Sequence, residues 1–256
     1  MEFAQRVALV VGGSYGIGGA ISQELAERGA TVVVNSRART EPPVLVNQLA
    51  ARGLPVTWTP ADMNDPAEME RLVNEVVATH GRLDVLVVSG GPAGAKAELF
   101  AETTAAQSAT TVNSMFLSRL NCLHPAIGPM AAQGYGKVVF VTTDAGRVPT
   151  PSESVVGAAA AALMYFTRAA GRELARKGIR VNCVSTTLTT QTPVYDRYHG
   201  QTDSVLAKAF AKIEAATPFG LNTPTDIAKL CAFLAGPESD QISGATISVN
   251  GGLSFP

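Results

Sequence analysis

Three glycines near the start of the chain have the spacing of an anion-binding turn. Gly12, Gly16 and Gly18 follow an apolar run, Val7 to Val11, and precede a stretch with helical apolar spacing, Ala20 to Arg28. Backbone N–H groups and a helix N-terminus in such a turn surround a phosphate, usually the pyrophosphate of a dinucleotide. The alternative is a turn that serves packing alone. The predicted nucleotide contacts in this loop are Gly12, Ser14, Tyr15, Gly16, Ile17 and Gly18.

The segment from Pro193 to Gly200 concentrates groups that can exchange protons. It holds the phenols of Tyr195 and Tyr198 and the imidazole of His199, beside one carboxylate and one guanidinium. Such a set could protonate or deprotonate a substrate oxygen, so these three residues are catalytic candidates. An ordinary polar surface loop is the alternative interpretation.

Two further candidates, Thr143 and Asp144, follow the apolar run Lys137 to Val141. Ligands of parallel sheets bind beyond the carboxyl ends of the strands, which is where these two residues are expected. Asp144 could instead be bonded into a turn with Gly146. For Glu153, which follows shortly after, a charge in the first turn of a helix is the plainer interpretation.

The elements that must position these residues alternate between apolar runs and helical segments along the whole chain. This alternation predicts one α/β domain, residues 1–256, with a doubly wound parallel sheet of about seven strands and helices on both faces. Ser152 is predicted to cap the helix after Asp144. Residues 186–200 are predicted to be irregular and 203–216 helical, and together they form the expected substrate loop, 186–216.

Composition restricts the function classes. The chain has 256 residues, 46% of them hydrophobic, and a net charge of −1, which favours a soluble globular protein and gives no electrostatic case for nucleic acid or a membrane surface. We find no membrane-span pattern and no leader pattern, so a cytoplasmic location is expected. Three scattered cysteines have no metal-ligand spacing, and no metal site is predicted.

Nearly the whole chain resembles the short-chain dehydrogenase/reductase family. The glycine loop is similar to the family's T-G-x-x-x-G-x-G, with Val11 in place of threonine, and Asn113 resembles the family's structural and catalytic asparagine. The resemblance implies a Rossmann-like fold, a small-molecule substrate and a homodimer or homotetramer formed through long helices. The alanine-rich stretch Ala158 to Ala162 permits such close helix packing. Further matching segments are Leu83–Val87, Ile179–Asn182, Asp226–Ala228, Phe233–Ala235, Ser243–Gly244 and Val249–Gly252.

The same resemblance extends the cofactor site. An acidic residue at the end of the family's second strand favours NAD, whereas this chain has Ser36 and Arg37, which suit a 2′-phosphate. NADP(H) is therefore expected rather than NAD(H), although Arg37 could be a solvated surface charge and the site could be vestigial. The remaining implied cofactor contacts are Asp62, Met63, Ser89 and Gly90.

The resemblance ends at the catalytic centre. The family has a serine, a tyrosine thirteen residues later and a lysine four residues after that. With Thr143 at the serine position, the tyrosine position holds Val156 and the lysine position Ala160. None of the five tyrosines in the chain is followed by a lysine four or seven residues later. The usual hydride-transfer pair is therefore expected to be missing.

These observations favour an enzyme repurposed for non-redox acid–base chemistry on a small organic substrate, by isomerisation, elimination or cyclisation. Standard carbonyl reduction is not expected under this hypothesis. One alternative is an NADP(H)-dependent oxidoreductase with an unconventional proton donor such as water or His199. Another is a non-catalytic subunit or ligand-binding pseudoenzyme.

Overall fold

A parallel sheet of seven strands forms the centre of the computed structural model, which describes residues 2–90, 98–200 and 205–253. The strands are β1 (Val7–Val11), β2 (Thr31–Ser36), β3 (Val56–Pro60), β4 (Val85–Val88), β5 (Gly136–Thr143), β6 (Ile179–Thr186) and β7 (Thr246–Val249). They lie side by side in the order β3-β2-β1-β4-β5-β6-β7, and each neighbouring pair is parallel. This arrangement confirms the predicted doubly wound, Rossmann-like α/β domain.

Helices cover both faces of the sheet. They are α1 (Gly16–Glu27), α2 (Val44–Ala51), α3 (Pro66–His80), α4 (Ala105–Val112), α5 (Ser118–Ala132), α6 (Ser154–Leu174), α7 (Pro193–Tyr198), α8 (Val205–Ala216) and α9 (Pro224–Ala235). A π-helical turn, Asn113–Leu117, joins α4 to α5. Such turns occur mostly as single insertions in α-helices and often at functional sites.

Two hydrophobic cores follow from the alternation of side chains along each strand. On one face, Leu9 and Val11 of β1 pack with buried residues of α3, α5 and α6, such as Leu72 and Leu163. The opposite face of the strands packs with buried residues of α1, α2 and α9. Because both faces are covered, the two central strands β1 and β4 consist of apolar residues alone.

The order of the strands reverses between β1 and β4, and this switch point is where ligands of such sheets bind. A buried carboxylate, Asp84, fixes the opposite end of the two strands. It accepts hydrogen bonds from Arg6 at 2.7 Å, from Arg82 at 2.6 and 2.7 Å, and from the Val7 N–H at 2.9 Å. Burial alone would raise the pKa of Asp84, but these donors hold it below its ordinary value.

Two local predictions are wrong. Ser152 does not cap α6: its backbone is left-handed, with φ of 67°, and the helix begins two residues later with Glu153 at the cap position. The stretch 186–200 is not wholly irregular, because it contains α7, whose N-cap Thr192 accepts from the Tyr195 N–H. The Thr192–Pro193 pair is a helix-start signal that the sequence interpretation overlooked. Residues 201–204, including the predicted start of the next helix at Asp203, lie outside the described residues.

Within the described ranges, no helix is both long and apolar enough to cross a membrane.

Candidate active site

A cavity of about 780 Å³ opens beyond the carboxyl ends of β5 and β6. The end of β5, the start of α6, the segment after β6, α7 and α8 supply most of its wall. Residues of the wall that bear on function are Ile17, Thr143, Asp144, Glu153 and Val156. Because Ile17 belongs to the glycine loop and Thr143 to the end of β5, the predicted nucleotide and catalytic residues meet at one cavity.

The glycine loop has the conformation that a phosphate cradle requires. Gly12 has a φ of 73°, and a Cβ added there would lie 2.5 Å from the Gly90 Cα, closer than real Cβ atoms come. A Cβ at Gly18 would overlap the Gly12 carbonyl oxygen. Tyr15, at the N-cap of α1, is extended and makes no side-chain cap hydrogen bond, so within the described part of the chain its side chain leaves the first N–H groups of the helix available to an anion. The loop therefore fits a dinucleotide pyrophosphate.

The end of β4 forms the neighbouring wall of the switch point. The Ser89 N–H donates to the Val11 carbonyl at 3.0 Å and continues the β1–β4 ladder. Gly90 fits between the glycine loop and Met63, since a Cβ on Gly90 would lie 2.5 Å from the Met63 Sδ. The structure thus brings Gly12, Ser89, Gly90 and Met63 together, as expected for contacts to one ligand.

The end of β2 holds the residues predicted to choose the cofactor. The Trp58 indole N–H donates to the Ser36 hydroxyl oxygen at 2.9 Å, which leaves the Ser36 proton free to be donated. Arg37 is exposed and has no ion-pair partner among the described residues. Asp62, after β3, is partly engaged, because its Oδ1 accepts from the Asn64 N–H and side-chain amide, both at 2.9 Å.

Arg119 is a buried residue beside the end of β4 that the sequence interpretation did not identify. It donates to the Gly90 carbonyl at 2.6 Å, to the Ser118 hydroxyl at 3.0 Å and to the Ser114 carbonyl, so it ties the π-helical turn to the end of β4. Burial lowers the pKa of Arg119 to about 10, which still leaves the guanidinium charged at neutral pH. The sequence offered one indication of this role, an arginine as the one charged residue of α5.

Thr143 and Asp144 lie at the floor of the cavity, but their side chains differ in how many hydrogen bonds they already make. The Thr143 Oγ1 accepts from the Ala145 N–H at 3.2 Å, so its own proton can be donated to a ligand. The buried Asp144 carboxylate accepts from Ser185 at 2.6 Å, Ser248 at 3.0 Å and Asn250 at 2.7 Å. These hydrogen bonds reach β6, β7 and the residue after β7 rather than the turn with Gly146 that the structural alternative predicted, and the catalytic role of Asp144 stays a prediction.

Glu153 and Val156 occupy the start of α6 on the same wall. The helix approaches the turn after β5 closely, because a Cβ on Gly157 would lie 2.5 Å from the Ala145 carbonyl oxygen. Burial raises the pKa of the Glu153 carboxyl to about 7. Ala160, one turn further along, is fully buried and packs against Gly146, away from the cavity wall.

The other catalytic candidates lie elsewhere. Asn113 begins the π-helical turn, and its amide donates to the Asn64 side-chain oxygen at 3.4 Å. The Tyr195 and His199 rings stack with centroids 4.5 Å apart, and neither residue is part of the described cavity wall. Tyr198 ends α7, and its side chain lies outside the described residues. The candidates Tyr195 and His199 of the predicted proton-exchange segment, residues 193–200, therefore do not line the cavity with Thr143.

Three cations line the side of the cavity away from the floor. They are Arg197 of α7 and Lys208 and Lys212 of α8, the last two one helical turn apart. The two lysines are exposed and have no ion-pair partner among the described residues. The sequence interpretation did not single them out, because only the fold places them at the cavity.

Comparison with known proteins finds relatives that match along almost the whole chain. Residues 11–254 match the sequence profile of the family described as Enoyl-(Acyl carrier protein) reductase. The chain is 32% identical to 3-oxoacyl-(acyl-carrier-protein) reductase FabG of Staphylococcus aureus, over 96% of this chain and 97% of that protein. It is 34% identical to cis-4-hydroxycyclohexanecarboxylate dehydrogenase of Sinomonas cyclohexanicum, over 98% and 97% of the two chains.

A solved structure agrees in fold. The crystal structure of gox2181 superposes with a TM-score of 0.91 at 24% identity, covering 98% of this chain and 96% of that one. At this identity the likeness bears on the fold alone.

The favoured functional hypothesis from the sequence, non-redox acid–base chemistry, is wrong. The matching relatives are named as reductases and dehydrogenases, and they match along almost the whole chain. The hypothesis rested on Val156 and Ala160 at the tyrosine and lysine positions. Loss of that pair does not by itself imply loss of redox function.

Proposed function

Because the chain belongs to the short-chain dehydrogenase/reductase family, we propose that it is an NADP(H)-dependent oxidoreductase that interconverts a carbonyl and an alcohol on a small organic substrate. One observation carries this proposal: the phosphate cradle at Gly12 to Gly18 and the floor at Thr143 border the same cavity, through Ile17.

The roles of the chain's own residues follow from their contacts. The N–H groups at the start of α1 would hold the pyrophosphate, and Ser36 and Arg37 would hold the 2′-phosphate. The nicotinamide, when bound, supplies or accepts a hydride. Thr143 orients the substrate oxygen through its free hydroxyl proton. Apolar side chains of the cavity wall would exclude water from the reacting atoms once ligands fill the cavity; they include Met115, Val148, Val156, Leu188 and Phe210.

We further propose that this enzyme does not use a tyrosine–lysine pair. Five tyrosines are present in the sequence, and none has a lysine four or seven residues later. At the positions that match the family's pair, Val156 adds an apolar group to the cavity wall and Ala160 is buried. Another group must therefore exchange the proton with the substrate oxygen.

The function is tested by titrating the protein with NADPH and NADH in a calorimeter and then following NADPH absorbance with ketones. Cyclohexanone, 4-oxocyclohexanecarboxylate and ethyl acetoacetate are suitable probes. We expect heat of binding with NADPH, weaker heat with NADH, and oxidation of NADPH with at least one ketone. No heat with either cofactor would overturn the proposal.

The cationic side of the cavity points to a substrate with a carboxylate and an apolar body. A carboxylate that enters between Arg197, Lys208 and Lys212 gains charge-assisted hydrogen bonds, while its carbonyl end reaches Thr143. The relative that is named as a dehydrogenase of a hydroxycyclohexanecarboxylate agrees with this class.

The two lysines allow a specific prediction. The double substitution Lys208→Ala with Lys212→Ala should raise KM for 4-oxocyclohexanecarboxylate about 10-fold, the effect of losing roughly 1.4 kcal/mol of binding. KM for uncharged cyclohexanone should stay unchanged. Lys177→Ala, at an exposed lysine away from the cavity, is the matched control. Equal effects on both ketones would contradict a charge-based role.

We also propose a homodimer or homotetramer formed through α4, α5 and α6. Apolar side chains at this surface are exposed, with Val112 at 37%, Leu117 at 43% and Tyr165 at 68%. Contact with a second copy would bury them. Light scattering gives the mass that tests this assembly.

A further inference from the structure

Glu153 lines the cavity at the start of α6, close in sequence to where this helix packs against the turn after β5. It is the residue before the first turn of α6, and the Gly157 N–H donates to its carbonyl at 2.6 Å. Gly157 approaches the Ala145 carbonyl closely, and Glu153, Ala145 and Thr143 all line the cavity. Val156, three residues after Glu153, lines the same cavity.

The Glu153 carboxyl has no hydrogen-bond or ion-pair partner within the described ranges. It is partly buried at an apolar wall, and burial raises its pKa to about 7. An acid with this pKa is populated in both protonation states near neutral pH, which suits proton transfer in either direction.

We propose that Glu153 is the group that exchanges a proton with the substrate oxygen during hydride transfer. This role rests on the proposed oxidoreductase function and gives Glu153 the proton transfer that a tyrosine–lysine pair would otherwise perform. It goes beyond the sequence interpretation, in which Glu153 was a helix-terminal charge.

Hydride transfer and proton transfer are coupled in both directions of the reaction. In reduction, the substrate carbonyl carbon gains a hydride from NADPH, the C=O π bond opens, and the oxygen takes the carboxyl proton of Glu153. NADP⁺, an alcohol and a Glu153 carboxylate result, and solvent returns the proton to Glu153. In oxidation, the Glu153 carboxylate removes the hydroxyl proton as the carbon gives its hydride to NADP⁺.

Other ionisable groups of the cavity are less suited to this role. The Asp144 carboxylate already accepts from three side chains. Arg197, Lys208 and Lys212 are on the side formed by α7 and α8, and an arginine does not titrate near neutral pH. Near the floor, Arg147 is engaged by β7, since it donates to the Ser248 hydroxyl at 2.6 Å and the Thr246 carbonyl at 2.7 Å.

The kinetic test compares wild type with Glu153→Gln and Glu153→Asp, using NADPH and whichever probe ketone the wild type reduces. Glu153→Gln should lower kcat/KM for reduction about 100-fold, a typical loss on removing an acid–base group. Glu153→Asp keeps a carboxyl and should restore part of the rate. Glu173→Gln, on the same helix but exposed and away from the cavity, should have no effect.

The pH profile separates proton transfer from a structural role. A reduction needs the protonated acid, so kcat/KM of the wild type should be level below pH 7 and fall above it, since the pKa is about 7. In the oxidation direction the carboxylate is needed, and the rate should instead rise to a plateau above pH 7. For Glu153→Gln, the pH profile should show no change of slope near pH 7 in either direction. Its affinity for NADPH, measured by calorimetry, should stay unchanged.

A readout independent of turnover is the ¹³C resonance of the Glu153 side-chain carboxyl, assigned by its loss in Glu153→Gln. It should titrate with a midpoint near 7 in the free protein. A midpoint near an ordinary glutamate value, or a Glu153→Gln variant with wild-type rate and pH profile, would overturn the role of Glu153 and leave the oxidoreductase function intact. A wild type that binds neither cofactor would overturn both.

Discussion

Replacement of Gly12 by alanine is expected to weaken NADPH binding by at least about 100-fold. The new Cβ would lie 2.5 Å from the Gly90 Cα and 2.6 Å from the Gly90 N, so the glycine loop or the end of β4 must move. Overpacking of this kind costs about 1–3 kcal/mol, and left-handed backbone at a non-glycine residue adds about 1 kcal/mol or more. A total of about 3 kcal/mol corresponds to 100-fold in affinity.

Calorimetric titration of the folded variant with NADPH gives the affinity, and thermal unfolding checks that the fold persists. Gly53→Ala is the matched control, because Gly53 also has a left-handed backbone, φ 76°, but a Cβ there meets nothing within 4 Å. Gly53→Ala should lose a little stability and no affinity. If Gly12→Ala bound NADPH as the wild type does, the glycine loop would not be the phosphate cradle.

Arg37→Glu is expected to reverse the cofactor preference. The arginine is exposed at the end of β2 next to Ser36, where it can pair with a 2′-phosphate. Loss of a charge-assisted hydrogen bond, about 1.5–3 kcal/mol, together with repulsion from the new carboxylate should raise the Kd for NADPH about 100-fold. NADH lacks this phosphate, and a glutamate can accept hydrogen bonds from its ribose hydroxyls, so its Kd should stay level or fall.

The measurement is a pair of titrations, NADPH and NADH, at one ionic strength, since salt screens exposed charges. Arg176→Glu makes the same charge change at an exposed arginine after α6 and serves as the control. An unchanged ratio of the two Kd values in Arg37→Glu would identify Arg37 as a solvated surface charge, which was its alternative interpretation.

The fold was predictable because local signals agree with one another along the chain. Apolar runs marked the strands, and Asp65–Pro66 and Gly81 marked the ends of α3: Asp65 accepts from the N–H groups of Ala67 and Glu68, and Gly81 has φ of 74°. Signals that depend on a single residue were less reliable. Ser152 has the side chain of a helix cap, but its left-handed backbone prevents that role.

The site was predictable only in part, since its chemistry depends on distances across the sheet. Thr143 and Ile17 were predicted site residues, because strand ends and glycine loops have sequence signatures, and both line the cavity. For Glu153 a helix-terminal charge was the plainer interpretation, since nothing in the neighbouring sequence shows that this residue lines a largely apolar cavity. Tyr195 and His199 attracted attention by residue type, yet their rings stack on each other outside the described cavity wall.

The central claim, hydride transfer without a tyrosine–lysine pair, is tested most directly with NADPH that carries deuterium at C4 of its nicotinamide. The protein is incubated with this cofactor and 4-oxocyclohexanecarboxylate or another probe ketone, and the product is examined by mass spectrometry. With deuterium on the face of the ring that donates, we predict an alcohol with one deuterium on its carbinol carbon. A converted substrate without deuterium, with cofactor labelled on either face, would contradict hydride transfer and with it the proposed function.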